Sequence, residues 1–325
     1  MKAIILDAES PETCFPLTST RPLAACRVGN RLLIELQQEI LKDAGYSNTS
    51  GSDDRTLFIR GDAWVSRPIL AALLKAEGTV AVRDGRGTIL SWTGESANAV
   101  LKAPSLPIDA NTFLIAYPWD ILRINEIILQ NIADYRLKGE AVPSGPINTA
   151  ITLNNGARIS SGVHNEGSLL LGEGSRLLPG VYIEGSVVIG KNCKIGPNCY
   201  LRGNTSIGNN CHIGQAAEVK NSIIMDHTCI GHLSYCGDSI IAENVNFGAG
   251  TITANFRHDG LTHKSVIEGR MMDTKRKKFG CVMGDRVHTG IHTSIYPGRK
   301  LWPDISTLPG TIVSKDVVLT KITVP

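Results

Sequence analysis

A small aliphatic side chain recurs at every sixth position through much of the second half of the sequence. The repeat runs through Ile183, Ile189, Ile195, Leu201, Ile207, Ile213 and Val219, and it returns later through Met283, Thr289, Ile295, Leu301, Thr307 and Val313. A period of six fits neither an amphipathic helix nor a simple array of hairpins. It predicts a solenoid in which each hexad makes one short strand and one bend, so that three hexads close a triangular coil of about 18 residues.

Residues 151–325 are therefore predicted to form an all-β left-handed parallel β-helix of hexapeptide repeats. Residues 151–317, less an interruption of about 26 residues, give about eight coils at about 18 residues each. The repeating aliphatic residue points inwards, a small side chain fills the corner, and Gly permits the bend. The composition agrees, because 33 residues are Gly and only 5% are aromatic. Stacked thin layers need small side chains of nearly equal size.

Two segments break this period. Between Val219 and Ile241 two steps shorten to five residues, and between Thr253 and Met283 the period disappears into a polar loop. Within that loop, residues 257–278 carry seven Lys or Arg side chains and three Asp or Glu, which is a net charge of +4 (7 − 3). Insertions in a solenoid become loops on one face, which is often the binding face. We therefore expect functional residues near both breaks.

Residues 1–117 lack the period and are predicted to form a small, Rossmann-like α/β unit. Strands are expected at the start, MKAIILDA, and at TLFIRGD, and helices at Leu32–Ala44 and Arg67–Glu77. Residues 118–150 are expected to connect the two domains. They contain a predicted helix that begins at Pro118 and a hinge at Pro143–Pro146.

Charge and cysteine usage limit the functional classes. The net charge of +3 is too small to favour nucleic acid as a partner. No apolar run reaches the roughly 18 residues of a membrane span, and the start does not follow the pattern of a signal peptide. The eight cysteines include no CxxC pair and share hexad positions with other small residues. We expect buried, reduced thiols, no metal site and a cytoplasmic location.

The string IGHLSYCGDSIIAENVNFGAGTITANF, residues 230–256, carries a family resemblance. It resembles the acetyltransferase half of the bifunctional N-acetylglucosamine-1-phosphate uridylyltransferase/glucosamine-1-phosphate N-acetyltransferase family. The similarity extends over about residues 190–317, and the loop ending KRKKFGCVMGDRVHTGIHTSIYPG looks like the archaeal-type sugar-phosphate nucleotidylyltransferase/acetyltransferase branch. The resemblance implies an acetyl-CoA-dependent N-acetyltransferase for an amino-sugar 1-phosphate, glucosamine-1-phosphate above all. It also implies a homotrimer with its sites between subunits.

The resemblance further implies residue roles. His232 matches the general base, and Glu218 matches an acidic residue that would hold the tautomer of His232. Substrate contacts are expected from Arg202, Lys220, Tyr235, Asn246, Asn255 and Lys264. Contacts to acetyl-CoA are expected from Ala249, Gly290 and Phe256, which stands where bacterial members have Tyr. The KRKK run, which includes Lys277 and Lys278, departs from the family pattern and is expected to meet the CoA phosphates. The longer loop leaves His263 and Lys264 as alternatives for the family's loop Lys, and we favour Lys264 for its charge.

The predicted coil supports a phosphate site independently of the family. Arg202 and Lys220 are one predicted coil apart, and each directly follows an inward aliphatic residue. They should therefore stack about 5 Å apart on one face. Two like charges at that distance are costly, so an anion is expected to bridge them.

The N-terminal part resembles a damaged nucleotidylyltransferase half. MKAIILDAESPETCFPLTSTRP stands where the family has MKAIILAAGxGxRxxPLTxxxPK. Glu9, Ser10, Pro11 and Glu12 replace the Gly-rich loop whose N–H groups hold the triphosphate. Asp62 matches a metal-binding Asp of the family, but it stands without partners. We expect this domain to be degenerate and its nucleotidylyltransferase activity to be lost.

Three other readings remain open. In the first, the chain is a catalytically idle paralogue that binds a sugar phosphate or serves as a scaffold. In the second, it is a bifunctional enzyme that retains nucleotidylyltransferase activity. The third is a metal-dependent hexad enzyme of the carbonic anhydrase type. It would need converging ligands chosen from His212, His227, His288 and His292.

Overall fold

The computed structural model describes residues 1–47, 55–94, 100–131, 140–142 and 150–318. The chain divides into two compact units. The first consists of Met1–Cys14, Arg21–Cys26 and Arg31–Asp120, and the second of Phe15–Thr20, Arg27–Asn30 and Ile121–Pro325. The hinge predicted at Pro143–Pro146 lies outside the described residues.

The first unit is α/β, as predicted. The strands of the first 131 residues are β1 (Lys2–Ile5), β2 (Arg27–Val28), β3 (Arg31–Leu32), β4 (Thr56–Ile59), β5 (Ala63–Trp64), β6 (Ala81–Arg83), β7 (Ile89–Gly94), β8 (Ser105–Leu106) and β9 (Phe113–Leu114). A five-stranded sheet has the order β1-β4-β7-β6-β8. Its outer pairs, β1 with β4 and β6 with β8, are parallel, and its inner pairs are antiparallel.

The three predicted helices are present. They are α1 (Leu33–Asp43), α2 (Arg67–Lys75) and α3 (Pro118–Gln130). Helix α2 begins after Ser66, whose hydroxyl accepts a hydrogen bond from the Ile69 N–H, as an N-cap side chain should. Within the described residues, no helix combines the length and the apolar character that crossing a membrane requires.

The second unit contains the predicted parallel β-helix, with about nine turns against the expected eight. Its strands are β10 (Glu140–Val142), β11 (Ala150–Leu153), β12 (Arg158–Ile159), β13 (His164–Leu171), β14 (Arg176–Leu177), β15 (Tyr182–Ile189), β16 (Lys194–Ile195), β17 (Tyr200–Arg202), β18 (Thr205–Ile207), β19 (His212–Ile213), β20 (Glu218–Lys220), β21 (Ile223–Ile224), β22 (Cys229–Ile230), β23 (Tyr235–Gly237), β24 (Ile240–Ile241), β25 (Asn246–Phe247), β26 (Ile252–Thr253), β27 (Lys264–Ile267), β28 (Arg270–Asp273), β29 (Cys281–Met283), β30 (Ser294–Ile295), β31 (Arg299–Leu301) and β32 (Ile312–Val313).

These strands form the three faces of a prism. The first face is the six-stranded sheet β12-β14-β16-β19-β22-β25. The second face continues from the first halves of β13 and β15 through β17, β20, β23, β26, β30 and β32. The third face continues from the second halves of β13 and β15 through β18, β21, β24, β29 and β31. Coil stacks on coil in parallel register, which the hexad period requires.

The repeating aliphatic residues fill the prism, as predicted. Ile183, Ile189, Ile195, Leu201, Ile207, Ile213 and Val219 are all 0% exposed. Burial of each such side chain contributes about 1.5–3 kcal/mol relative to leaving it in water. All eight cysteines are free thiols, and all except the half-buried Cys229 are buried. The prediction that the cysteines are buried is confirmed for seven of the eight.

The two shortened steps appear as coils of 17 residues, in which Ser206 pairs with Ile223 and Ile223 pairs with Ile240. The corner that loses a residue is built by Asn221 and Asp238, at φ 47° and 50°. Glycine occupies this corner one coil earlier, where Gly203 has φ 69°. Asn and Asp tolerate the left-handed region better than other side chains, so the corner can carry a functional group.

Helix α3 and the polar loop both contact the solenoid, and α3 packs on its third face. Leu129 of α3 packs against Leu170 and Val188 on this face. The polar loop that interrupts the period folds into the antiparallel hairpin β27–β28. Ser265 in β27 donates a hydrogen bond to the carbonyl oxygen of Gly298 (3.0 Å). The inserted loop is therefore anchored to the solenoid by specific contacts.

Candidate active site

Arg202 and Lys220 are register partners in adjacent strands of the second face, as predicted. Each already has a carboxylate partner. Arg202 donates from Nε and Nη2 to Oε1 of Glu218, at 2.8 and 2.7 Å. The Lys220 ammonium donates to Oδ2 of Asp238 at 3.0 Å. The protein's own carboxylates therefore offset the repulsion between the two cations, and an external anion is not needed for that. Phosphate binding at this pair stays a prediction.

Asp238 is the centre of the polar cluster, and the sequence reasoning gave it no role. Its side chain is 3% exposed. Besides Lys220, it accepts hydrogen bonds from Nδ2 of Asn221 (2.9 Å) and Nδ2 of Asn255 (2.5 Å). The signal was present in the sequence, because Asp238 closes the quoted string GHLSYCGD. Only its burial and its three donors show how many groups depend on it.

Tyr235 and Asn255 meet on this face. Asn255 Nδ2 donates a hydrogen bond to the Tyr235 hydroxyl oxygen at 2.9 Å. Burial, followed by the nearby charges of Asp238 and Glu218, raises the pKa of Tyr235 to about 12. The phenol therefore keeps its proton at neutral pH. Because its oxygen accepts from Asn255, its own O–H is available to donate to a ligand.

His232 is exposed in the turn between β22 and β23. Its carbonyl oxygen accepts a hydrogen bond from the Gly250 N–H at 2.9 Å, which fixes the turn to the next coil. Among the described residues, no hydrogen bond joins His232 to Glu218, because the Glu218 carboxylate pairs with Arg202. The predicted contact that would orient the imidazole is thus not present in the single chain.

Ala249 and Gly290 lie at the same corner as His232, in the coils that follow. The Ala249 carbonyl oxygen accepts from the His292 N–H at 2.8 Å, and the Gly290 N–H donates to the Thr307 hydroxyl at 2.9 Å. A Cβ added to Gly248 would lie 2.6 Å from the carbonyl carbon of Gly290. The backbone at this corner is therefore closely stacked, and the predicted cofactor residues follow His232 along one edge of the prism.

Three of the predicted cofactor residues, Phe256, Lys277 and Lys278, lie near the two ends of the polar loop. Phe256 is 51% exposed and forms a backbone bridge with Lys278, whose ammonium lies 5.8 Å from the centre of the Phe256 ring. Lys277 is also exposed. Phe256 directly follows Asn255 in the chain, and Lys278 lies beside Phe256. An apolar and a cationic side chain therefore adjoin the polar cluster.

The two alternatives for the loop Lys differ in burial. His263 is 2% exposed, its Nε2 lies 2.9 Å from the carbonyl oxygen of Asn255, and burial lowers its pKa. Lys264 is exposed on β27, where its register partner is Asp273. His263 therefore supports the backbone of Asn255, and Lys264 is the one of the two that faces solvent.

Asn246 lies apart from the cluster. It is in β25 of the first face, where it pairs with His288. Within one chain, it does not join the residues of the second face. Among the described residues, no three His, Cys, Asp or Glu side chains are grouped so that they could hold a metal ion.

Helix α3 contributes a residue that no sequence pattern indicated. Glu126 accepts a hydrogen bond from Asn221 Nδ2 at 2.8 Å and forms an ion pair with Arg276 of the polar loop. Asn221 in turn donates to Asp238. Glu126 therefore links the loop and the helix to the buried carboxylate of the cluster.

The fold and the order of these residues define a hexapeptide-repeat β-helix domain, and comparison with known proteins agrees. Residues 183–301 match the family described as the GMPPB C-terminal domain. The chain is 46% identical over 102 residues to the bifunctional sugar-1-phosphate nucleotidylyltransferase/acetyltransferase of Sulfurisphaera tokodaii and, over the same length, to the bifunctional protein GlmU of Methanocaldococcus jannaschii. Each match covers 31% of this chain and 25% of the relative, so the chain spans about a quarter of their length.

The resemblance inferred from the motifs is therefore confirmed for this part of the chain.

Among solved structures, a mutant of GDP-perosamine N-acetyl transferase from Caulobacter crescentus, in complex with CoA and GDP-perosamine, is 17% identical. That match covers 70% of this chain and 78% of the other, with a TM-score of 0.18. A score this low supports no inference about the site.

Proposed function

We propose that the second unit transfers an acetyl group from acetyl-CoA to the amine of an amino-sugar 1-phosphate, with glucosamine-1-phosphate as the substrate to test first. The observation that carries this proposal is the polar cluster of the second face. Lys220, Asn255 and Tyr235 are joined there through Asp238 and the Asn255–Tyr235 hydrogen bond. The Arg202–Glu218 pair lies beside them, because Arg202 is the register partner of Lys220. The cluster lies inside the segment that matches the family model.

The proposed roles follow from the chemistry of these groups. The phosphate would bind at the two cations, where charge-assisted hydrogen bonds are strongest. The Tyr235 hydroxyl would donate to the sugar. The amine nitrogen attacks the thioester carbonyl carbon while His232 accepts the amine proton. The new C–N bond forms, the C–S bond breaks, and CoA leaves as a thiolate that regains a proton from the imidazolium.

Acetyl-CoA would bind along the corner formed by Ala249 and Gly290, with Phe256 beside it and with Lys277 and Lys278 near its phosphates. A homotrimer and a cytoplasmic location remain predictions. The second unit exposes apolar side chains that an assembly would cover, namely Leu233, Ile252, Ile291, Tyr296, Leu308 and Ile312. Their exposure supports a self-association surface on this part of the solenoid.

The test of this function is thiol release from acetyl-CoA in the presence of glucosamine-1-phosphate. We expect one equivalent of free CoA for each N-acetylated sugar phosphate, with only background release when the sugar is omitted. Release no faster than this blank would contradict the enzyme reading.

A catalytically idle sugar-phosphate binder is the second candidate, and one observation favours it. Glu218 pairs with Arg202 and leaves His232 without the expected carboxylate partner in the single chain. Calorimetric binding of glucosamine-1-phosphate without thiol release would support this candidate instead.

We further propose that the first unit has lost nucleotidylyltransferase activity. The Asp62 carboxylate, which would hold the metal, is engaged by Nε and Nη2 of Arg60, both at 2.8 Å. Nη1 of Arg60 also pairs with Glu9 at 2.8 Å. An arginine in this position competes with a divalent cation for the same oxygens.

With UTP or dTTP, magnesium and a sugar 1-phosphate, we expect no pyrophosphate above the level of an Asp62→Asn variant. Added pyrophosphate in the same coupled assay serves as the positive control. Clear turnover by the wild-type protein that Asp62→Asn abolishes would show that the domain is active.

A further inference from the structure

Glu126 on helix α3 holds two partners from different parts of the second unit. Its Oε1 accepts a hydrogen bond from Nδ2 of Asn221 at 2.8 Å, and its Oε2 accepts one from Nη1 of Arg276 at 3.1 Å. The Glu126 side chain is 21% exposed and that of Arg276 is 17% exposed. A carboxylate that is largely shielded from water makes strong hydrogen bonds to such donors, so it can fix the orientation of both.

Asn221 connects Glu126 to the polar cluster. Its Nδ2 carries two hydrogens, of which one goes to Glu126 and the other to Oδ1 of Asp238 at 2.9 Å. The second oxygen of Asp238, Oδ2, accepts from Lys220 at 3.0 Å and from Asn255 at 2.5 Å. The last torsion of an Asp side chain is only loosely restrained by its own covalent structure. The contact from Asn221 therefore fixes the Asp238 carboxylate, and with it the direction in which Lys220 and Asn255 are held.

Arg276 connects Glu126 to the polar loop. The Arg276 Nε donates a hydrogen bond to the carbonyl oxygen of Lys278 at 3.4 Å, and the Arg276 carbonyl oxygen accepts one from the His263 N–H at 2.8 Å. The guanidinium presents a rigid set of donors, so it holds the loop backbone and the carboxylate in one geometry. The end of the loop that carries Lys277 and Lys278 is thereby tied to α3.

We propose that Glu126 is a positioning residue shared by both substrates of the acetyl transfer. Its contacts through Asn221 to Asp238, here called the sugar arm, orient the side chains assigned to the sugar phosphate. Its contacts through Arg276 to Lys278, here called the CoA arm, hold the loop assigned to acetyl-CoA. This inference rests on the proposed acetyl transfer and adds a residue that acts on it through others. Groups held in place before binding lose less freedom when the substrate arrives, which raises affinity.

Three substitutions separate the two arms. Asn221→Gly removes the sugar arm and keeps the backbone, because glycine stands at this corner one coil earlier, where Gly203 has φ 69°. Arg276→Ala removes the CoA arm. Glu126→Ala removes both.

Steady-state thiol release gives kcat and the KM for each substrate. We expect Asn221→Gly to raise KM for glucosamine-1-phosphate roughly threefold to tenfold, because one charge-assisted hydrogen bond is lost, and to leave KM for acetyl-CoA unchanged. Arg276→Ala should raise KM for acetyl-CoA and leave that for the sugar phosphate unchanged. Glu126→Ala should raise both KM values. The kcat should change little in all three variants, since His232 is untouched.

Glu126→Gln provides a conservative rescue of one arm. Gln keeps an oxygen that accepts from Asn221, but it loses the negative charge that pairs with Arg276. KM for the sugar phosphate should therefore return towards the wild-type value, while KM for acetyl-CoA stays raised. This variant also serves if Ala at position 126 impairs folding. Glu173→Ala is the matched control and should keep both KM values, because it removes an exposed ion pair, to Lys191 at 3.2 Å, that lies outside both arms.

Calorimetric binding of glucosamine-1-phosphate and of acetyl-CoA measures the same pattern independently of turnover. Wild-type KM values for both substrates in Glu126→Ala, or a change confined to one substrate, would overturn the shared role. Equal effects of Asn221→Gly and Arg276→Ala on both substrates would overturn it too, since they would show a general loosening of the structure. If no acetyl group is transferred but the two dissociation constants change in the expected pattern, the proposed catalysis fails and the positioning role stands. If neither substrate binds the wild-type protein, both proposals fail.

Discussion

Replacement of His232 by Asn is expected to lower kcat for acetyl transfer by about 10²–10⁴-fold, the usual contribution of a positioned general base. The KM for the sugar substrate should change little, because Arg202, Lys220 and Tyr235 remain in place. A fall in kcat without a rise in KM identifies a group that acts in the transition state and not in substrate binding. Steady-state thiol release measures both constants.

His227→Asn is the matched control. His227 is also exposed at a corner of the solenoid, and its φ of 59° is one that Asn accepts. The His227→Asn variant should retain the wild-type kcat for acetyl transfer. If His232→Asn also keeps wild-type kcat, His232 is not the base, and the proposed mechanism is wrong even where acetyl transfer is observed.

Asp238→Ala is expected to cause the largest loss of stability. The substitution removes the acceptor of three side-chain hydrogen bonds, from Lys220, Asn221 and Asn255. It leaves Lys220, whose side chain is only 17% exposed, without its counter-charge. Breaking a buried ion pair costs about 3–5 kcal/mol, and the partial exposure of Lys220 places this case near 3 kcal/mol. We expect the unfolding midpoint of the solenoid to fall by roughly 5–10 °C in calorimetry.

The control for Asp238 is Asp304→Ala. The Asp304 backbone is also in the left-handed region, with φ 65°, and its carboxylate also pairs with a basic side chain, that of Arg286. The Asp304 side chain, however, is 49% exposed. Ala at either position carries a similar backbone cost, and an exposed ion pair contributes only about 0–1 kcal/mol. The difference between the two variants therefore isolates burial. Equal shifts in the unfolding midpoint would show that the backbone, and not the polar cluster, makes Asp238 important.

Asp238→Asn separates charge from shape. Asn tolerates the left-handed corner and keeps one oxygen acceptor, so its unfolding midpoint should lie between those of wild type and Asp238→Ala. Lys220 would no longer be held in place by the ion pair with Asp238. We therefore expect a lower affinity for the sugar phosphate even though the variant site is more positive. Unchanged stability and binding would remove Asp238 from its central place in the site.

The site was only partly predictable. The stacking of Arg202 on Lys220 followed from the length of one coil, and the structure confirms it. The need for a bridging anion did not follow, since Glu218 and Asp238 neutralise the pair. The placement of Asn246 on the first face was available from the period, because Tyr235 and Asn246 are not separated by a whole coil. Motif matching alone had grouped the two.

The sequence by itself determined the solenoid, because a six-residue period is a local property: each hexad needs only an inward aliphatic residue, a small corner residue and a bend. It also determined which strings carry the resemblance. The tertiary structure alone decided how the charges pair. Glu126 reaches Asn221 across 95 residues and Arg276 across 150, and Lys220 meets Asp238 only because coils stack. Periodicity places a residue on a face, but the partner of an ionised side chain depends on which neighbours packing brings within hydrogen-bond distance.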